Sequence, residues 1–202
     1  MAFLYPTEKG KDERVSQYFG QRPEVYKKFG TDGHNGLDLS VPTGTTILSI
    51  GDGTVLVTGD EGPRVGYGKY VKIQHDGYVS YYAHLKDFLV RSGDKVIAGQ
   101  KIAISNNTGF SSGAHLHLTI KATDSKGNVL NYNNGFKGAI DPLTLLEVMP
   151  HELPPAVPHY AADEEAFFMK LYGVSKKNLD EPMARGEAYV LLKHLYDDHN
   201  KI

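Results

Sequence analysis

Short β-rich runs separated by glycine-containing turns fill the first two thirds of the chain, and this alternation constrains the fold more than any other feature. Most of the 22 glycines lie at or before Gly138. Many short strands with Gly-rich turns are typical of an antiparallel β domain. The predicted strands are Thr46–Ile50, Thr54–Thr58, Tyr70–Gln74, Tyr78–Ala83, Lys101–Ser105 and His115–Lys121. We therefore predict a mainly β fold.

The composition changes after residue 148. Four prolines fall within residues 150–158, which favours an extended, stiff connector over residues 149–160. Glycine is rare beyond this point, and Asp163 and Pro182 are suited to begin helices. We predict three segments: a β domain at 1–148, a Pro-rich linker at 149–160 and a small helical appendage at 161–202.

The bulk composition narrows the possible functions. The net charge of −2 gives no reason to expect binding to nucleic acid. The chain has no cysteine, so a transition-metal site must use histidine and carboxylate, and nine histidines are present. No apolar stretch has the length of a membrane span, and residues 1–10 lack the pattern of a signal peptide. We expect a soluble protein without membrane insertion, and its oligomeric state stays open.

Two histidines at alternate positions suggest a metal site. Alternate residues of a strand face the same side, so His115 and His117 share one face while Leu116 takes the other. Alone, such a pair is more often the polar face of an ordinary strand. His34 and Asp38 change this assessment, because an acid and a third histidine complete the inventory of a catalytic zinc site. Such sites use three protein ligands and leave one position for water.

Three motifs in order resemble peptidase family M23, the LytM/lysostaphin type of zinc metallopeptidase. They are His34–Asp38, Tyr81–Leu85 and Ser111–His117, and the similarity extends over about Val15–Ile120. The resemblance implies a LytM-like antiparallel β-sheet domain built on a duplicated hybrid motif. It also implies Zn²⁺ as the cofactor, held by His34, Asp38 and His117.

The resemblance further implies that His84 and His115 are catalytic. One histidine is expected to take a proton from water, and the other to stabilise the tetrahedral intermediate. We assign the first role to His115 and the second to His84, and the sequence leaves the reverse assignment open. In this family the substrate is the peptide part of bacterial peptidoglycan, either a stem peptide or a cross-bridge.

Several further residues are expected near the substrate. Tyr82, Asn35 and Ser112 are predicted to bind it, and Tyr67 and Tyr81 are further candidates for the wall of the groove. Ordinary strand packing is the competing explanation for the tyrosines. His75, in a His-Asp-Gly turn, is predicted to be exposed, and the four histidines after residue 148 are predicted not to be ligands.

Three functions compete at this level. The first is an active zinc metalloendopeptidase that lyses cell walls. The second is a non-cleaving module that binds peptidoglycan or activates another hydrolase; such members of the family usually lack ligands, whereas this chain has all of them. The third is a virion-associated component for wall penetration. The expected place of action is the cell wall, as a phage lysin or virion-associated enzyme, or otherwise as a secreted protein.

Overall fold

The structure is a computed structural model that describes residues 3–146. The predicted linker at 149–160 and helical segment at 161–202 lie outside the described residues and stay predictions. The described residues contain two short α-helices and eleven strands: β1 (Val15–Gln17), α1 (Pro23–Tyr26), β2 (Leu37–Leu39), β3 (Thr46–Leu48), β4 (Gly53–Asp60), β5 (Lys69–Gln74), β6 (Tyr78–Ala83), β7 (Leu85–Phe88), β8 (Lys95–Val96), β9 (Lys101–Ser105), β10 (Leu116–Ala122), β11 (Ala139–Ile140) and α2 (Leu143–Leu146).

The strands form two antiparallel sheets, which confirms the predicted fold class. The larger sheet has eight strands in the order β1-β2-β10-β6-β5-β4-β8, with β11 paired to β10. The smaller sheet has the order β3-β9-β7. Short 3-10 helices at Gly10–Asp12 and Lys27–Phe29 complete the regular structure. No helix within residues 3–146 has the length and apolar character needed to cross a bilayer.

The alternation of side chains along the strands builds a single core. Leu37 and Leu39 of β2, and Leu116 and Leu118 of β10, have no exposed surface. They belong to one hydrophobic cluster that also includes Ile47 and other residues of the smaller sheet. Burying a leucine side chain contributes roughly 1.5–3 kcal/mol. These leucines therefore fix which face of β2 and β10 is turned away from the core.

The chain passes from the larger to the smaller sheet at His84. This residue lies between β6 and β7 and has a left-handed backbone conformation, with φ of 62°. Its N–H donates to the carbonyl of Tyr67 at 3.0 Å, and its own carbonyl accepts from Asn106 N–H at 3.0 Å. A left-handed conformation costs a non-glycine residue roughly 1–2 kcal/mol, and such strain is often found at functional sites.

Two glycines let neighbouring loops touch beside this corner. A Cβ added to Gly68 would lie 2.3 Å from the backbone nitrogen of Gly109, and both residues have positive φ. A side chain at either position would therefore separate the loop before β5 from the loop before β10. This close approach holds the second loop, which carries Ser111 and Ser112, against the sheet.

Candidate metal centre

The pairing of β2 with β10 places a carboxylate opposite a histidine. In this antiparallel register Asp38 is the direct partner of His117, with Leu37 opposite Leu118 and Leu39 opposite Leu116. Because successive side chains alternate between faces, burial of the leucines turns Asp38 and His117 together away from the core. Two of the three predicted metal ligands are thus neighbours across one strand pair.

The third predicted ligand reaches this pair from the loop before β2. His34 donates its backbone N–H to the carbonyl of Gln21 at 2.9 Å, and its carbonyl accepts from Gly20 N–H at 2.8 Å. Gly36 then brings the chain very close to β10: a Cβ there would lie 2.5 Å from the carbonyl oxygen of Leu118 and 2.7 Å from Cε1 of His117. Only glycine fits this approach without displacing the His117 ring.

The three side chains converge on one point. His34 Nε2 lies 3.0 Å from Asp38 Oδ1 and 2.9 Å from His117 Nδ1, and His117 Nδ1 lies 2.8 Å from Asp38 Oδ1. All three residues are buried. Three donor atoms about 3 Å from one another can all lie about 2.0–2.2 Å from one ion, which is the range for zinc.

Hydrogen bonds behind the two rings support a cation in this position. His34 Nδ1 lies 3.0 Å from the carbonyl of Tyr18, which can only accept, so Nδ1 carries the proton and Nε2 presents a lone pair. That lone pair faces a carboxylate oxygen and a second imidazole nitrogen. One proton on His117 Nδ1 cannot satisfy all these close contacts, whereas a cation can. The donor set therefore fits a metal ion.

A hydroxyl group sets the orientation of His117. Its Nε2 lies 2.8 Å from Oγ1 of Thr119, a residue without exposed surface. When Nε2–H donates to this hydroxyl, Nδ1 is left unprotonated and available as a ligand. The sequence interpretation did not identify Thr119. Its position two residues after His117, on the same face of β10, was a signal that could have found it.

The electrostatics of the cluster favour a charged Asp38 and an uncharged His117. Burial raises the pKa of Asp38, but hydrogen bonds with His117 and His34 outweigh burial, and the net pKa lies well below its usual range. For His117 burial is the largest effect and lowers the pKa, against the opposing influence of Asp38. A carboxylate and unprotonated imidazoles are the forms that bind metals.

The two remaining histidines of the motifs stand next to this cluster. The ring centroids of His84 and His115 are 4.6 Å apart, and His115 Nε2 lies 3.5 Å from Asp38 Oδ2. Each ring has its Nδ1 on a backbone carbonyl, Thr108 for His84 at 2.6 Å and Gly113 for His115 at 2.8 Å. Both therefore carry the proton on Nδ1 and leave Nε2 as an acceptor in the neutral form.

The environment of His84 strongly disfavours its charged form. Burial is the main cause and, with the nearby His117 and His115, lowers the pKa of His84 to about 3. The hydrogen bond to Thr108 and the charge of Asp38 oppose this shift only in part. The His84 imidazole is therefore neutral near pH 7.

Asp38, His117, His84 and His115 line one cleft of about 780 Å³, and His34 lies buried behind them. Asn35 and Ser112 line it, as predicted for substrate-binding residues, and so do Tyr67 and Tyr81. Asn35 Nδ2 donates to the hydroxyl of Tyr67 at 3.4 Å, and that hydroxyl lies 3.5 Å from Thr119 Oγ1. A role for Asn35 and Ser112 in substrate binding stays a prediction.

The expectation for Tyr82 is wrong. Tyr82 has no exposed surface, belongs to the hydrophobic core, and its hydroxyl accepts from Ile50 N–H at 2.9 Å. Tyr81 and Tyr82 follow one another on β6, so they face opposite sides of the sheet. The cleft receives Tyr81, and the core receives Tyr82.

The expectation that His75 is exposed is also wrong. His75 is buried, with Nδ1 2.8 Å from the carbonyl of Asp52 and Nε2 2.7 Å from the hydroxyl of Ser80. Both ring nitrogens are thus satisfied by internal partners, and the residue is part of the scaffold. The other four histidines, His151, His159, His194 and His199, lie outside the described residues.

Comparisons with known proteins agree with the site and the fold. Residues 32–131 match the model of peptidase family M23. The chain is 41% identical over 101 residues to the peptidoglycan DD-endopeptidase ShyA of Vibrio cholerae, covering 50% of this chain and 23% of ShyA. It is 38% identical over 112 residues to the murein hydrolase activator NlpD of Escherichia coli, covering 54% of this chain and 29% of NlpD.

Comparison with solved structures agrees with the comparison of sequences. A zinc-containing peptidase from Vibrio cholerae superposes with a TM-score of 0.55 at 29% identity, covering 76% of this chain and 41% of that chain. The catalytic domain of lysostaphin from Staphylococcus simulans superposes with a TM-score of 0.53 at 26% identity, covering 67% of this chain and 93% of that domain. The fold and the His-Asp-His cluster define a metallopeptidase-type domain. The chain belongs to peptidase family M23.

Proposed function

We propose that this chain is a zinc-dependent metalloendopeptidase that hydrolyses peptide bonds in bacterial peptidoglycan. The observation that carries the proposal is the convergence of His34, Asp38 and His117 on one point, beside a cleft that Asp38 and His117 line together with His84 and His115. Family membership supports a hydrolase. The names of ShyA and NlpD, which refer to peptidoglycan and murein, support the substrate class.

The residues of the proposed metal centre have two kinds of role, binding the metal and orienting the ligand rings. His34, Asp38 and His117 would hold the zinc, and their net charge of −1 would leave the complex cationic. When bound, zinc lowers the pKa of a coordinated water to about 7 and polarises a peptide carbonyl. Tyr18 and Thr119 hold the two ligand rings in the required tautomers through hydrogen bonds at 3.0 and 2.8 Å.

We assign proton transfer to His115. Its Nε2 is unprotonated in the neutral form, it lines the cleft, and Asp38 Oδ2 at 3.5 Å would stabilise the imidazolium once a proton has been accepted. The same Nε2–H can then donate to the leaving amine. Each step uses one nitrogen of one ring, and Gly113 holds the other nitrogen throughout.

For His84 the hydrogen bonding modifies the expected role. Stabilising an oxyanion needs an N–H donor, but Nδ1–H of His84 is occupied by Thr108 and a pKa of about 3 disfavours a second proton on the ring. We therefore propose that Nε2 of His84 accepts a hydrogen bond from the attacking water and orients it toward the substrate. His115 then remains the base.

A second candidate function is activation of another murein hydrolase without cleavage. The 38% identity to NlpD, which is named as a murein hydrolase activator, favours it. The matched region spans only about a quarter of the length of ShyA and NlpD, so neither relative's activity as a whole protein transfers directly. The two functions differ in whether this chain alone releases peptide fragments.

The test is digestion of purified cell walls by the purified full chain, followed by mass spectrometry of the released fragments. With zinc present we expect new peptide ends, and none after treatment with a chelator. Asp38→Ala and His117→Ala should abolish both zinc binding and cleavage. Walls that stay intact under every zinc condition would refute the endopeptidase, and stimulation of a separate hydrolase would then support the activator.

The site of action is part of the same proposal. We propose that the chain acts at the cell wall, as a phage lysin, as a virion-associated enzyme or as a secreted protein. Immunoblots of purified particles and of lysate from infected cells separate these cases. Signal in particles would support a virion component, and signal in lysate alone would support a free lysin.

A further inference from the structure

A buried lysine lies on the same strand face as the metal centre. His117, Thr119 and Lys121 are alternate residues of β10, so all three lie on the same face of the strand, and His117 and Lys121 line the cleft. The residue is only 9% exposed. Lys121 lies four positions after His117, which corresponds to about 13 Å between their Cα atoms. An extended peptide of about four residues spans this distance.

This lysine has no anionic partner within residues 3–146. None of the ion pairs of that region includes Lys121. Its neighbours are cationic or aromatic instead: Nζ lies 5.4 Å from the ring centroid of Tyr81, and Nζ of Lys72 lies 5.3 Å from the same ring. Burial, and then the charges of Lys72 and Lys137, lower the pKa of Lys121.

The arrangement is unfavourable unless an anion completes it. Burying an ammonium group without a counter-ion costs free energy, and two further lysines add repulsion. Lys137 is partly satisfied because its Nζ donates to the carbonyl of Phe29, whereas Lys121 has a ring face and no hydrogen-bond acceptor among the described residues. An anionic partner for the Lys121 ammonium would therefore have to come from the open cleft.

We propose that Lys121 binds a free carboxylate of the peptide substrate, with Lys72 and Lys137 adding to the positive potential. The inference rests on the proposed function, because it takes the occupant of the cleft to be a peptide. Such a peptide carries a carboxylate at its C terminus and on acidic residues. A carboxylate suits the site because a single ammonium next to an aromatic ring offers one strong, charge-assisted hydrogen bond. Lys121 would then select substrates by charge about four residues from the metal.

The experiment compares two synthetic stem peptides of one sequence, one ending in a free carboxylate and one in an amide. Calorimetry on the full chain in chelator measures binding without turnover, and KM and kcat are measured with zinc. We expect wild type to bind the free acid about tenfold more tightly than the amide, as for a hydrogen bond to a charged group. Lys121→Gln should raise KM for the free acid to the value for the amide, which removes the preference, and should leave kcat unchanged. Lys121→Arg should keep the preference.

The matched control is Lys101→Gln, which removes an exposed lysine on β9 of the smaller sheet and should keep the preference. Equal affinity of wild type for acid and amide, or no measurable binding of either, would overturn the inference without any variant. Tighter binding of glycerol phosphate than of the free acid would overturn it too, because the site would then select phosphate. Preference without hydrolysis would refute only the endopeptidase, and hydrolysis without preference would refute only the Lys121 subsite.

Discussion

Replacing Thr119 by valine tests whether the hydroxyl behind His117 tunes the metal centre. Valine has nearly the shape of threonine, so the change removes one hydroxyl from a fully buried position and leaves packing almost intact. The hydroxyl lies 2.8 Å from His117 Nε2 and 3.5 Å from the hydroxyl of Tyr67. With metal bound, His117 must carry its proton on Nε2, because Nδ1 is the ligand atom facing Asp38.

The expected loss follows from comparing the two states of the site. In metal-free Thr119→Val, His117 can place its proton on Nδ1 and donate to Asp38 at 2.8 Å, which leaves only an unpaired lone pair on Nε2. In the metal-bound variant the proton returns to Nε2 and has no acceptor. A buried unpaired donor costs about 1–3 kcal/mol. Because water reaches His117 poorly, we expect zinc affinity to fall about 10–100-fold, in the range for lost orienting partners.

The assay is competition for zinc between the full chain and a fluorescent chelator of known affinity. Thr123→Val provides the control, because Thr123 is also buried and its hydroxyl accepts from Gln74 Nε2 at 3.0 Å, away from the metal centre. Thermal unfolding in chelator reports how much each change destabilises the apoprotein. A zinc affinity of Thr119→Val equal to that of Thr123→Val and wild type would refute the orienting role of the hydroxyl.

Three further predictions concern the base, the ligand approach and the scaffold. His115→Ala should keep zinc and lower hydrolysis about 10²–10⁴-fold, and near-normal turnover would contradict its assignment as the base. Gly36→Ala should weaken zinc binding in the same competition assay, because its Cβ would lie 2.7 Å from Cε1 of His117; unchanged affinity would mean that the loop relaxes freely. Burial lowers the pKa of His75 in the folded protein. As the pH falls below about 6.5, the unfolded chain therefore takes up a proton at His75 before the folded chain does, and the free energy of unfolding decreases. His75→Gln should reduce that slope by up to about 1.4 kcal/mol per pH unit in urea titrations of the apoprotein, and an unchanged slope would show that His75 is not the group responsible.

The sequence predicted the strands well because their patterning is local. Tyr78–Ala83 and Lys101–Ser105 have the predicted bounds in the structure, and His115–Lys121 differs from β10 by one residue at each end. Each is a run of β-forming residues bounded by turn signals. The grouping of His34, Asp38 and His117 was also predicted, but through the order of motifs typical of a family. Spacing alone gave no reason for residues 79 positions apart to meet.

The errors concern the side of the sheet that a residue faces. Tyr81 and Tyr82 are adjacent aromatic residues, and propensity does not tell which of them meets the core. The register places Tyr82 opposite the buried Leu118 and Val71, and the hydrogen bond from Ile50 N–H satisfies its hydroxyl there. His75 follows the end of β5 in a polar turn, yet the carbonyl of Asp52 and the hydroxyl of Ser80 satisfy both its nitrogens and permit burial. Such partners come from the turn between β3 and β4 and from β6, so tertiary structure is needed to identify them.

The register of β2 against β10 links the core to the chemistry. A slip of one residue would place Leu116 or Leu118 opposite Asp38, would turn a buried leucine toward the cleft and would carry His117 into the core. Every leucine that packs correctly therefore also opposes the wrong arrangement of the ligands. The core provides this constraint without contacting the metal. Substitutions that preserve apolar volume at Leu116 and Leu118 should consequently leave the geometry of the metal centre intact. Substitutions that introduce a polar group there should disrupt it, because only these remove the free-energy difference that holds the register.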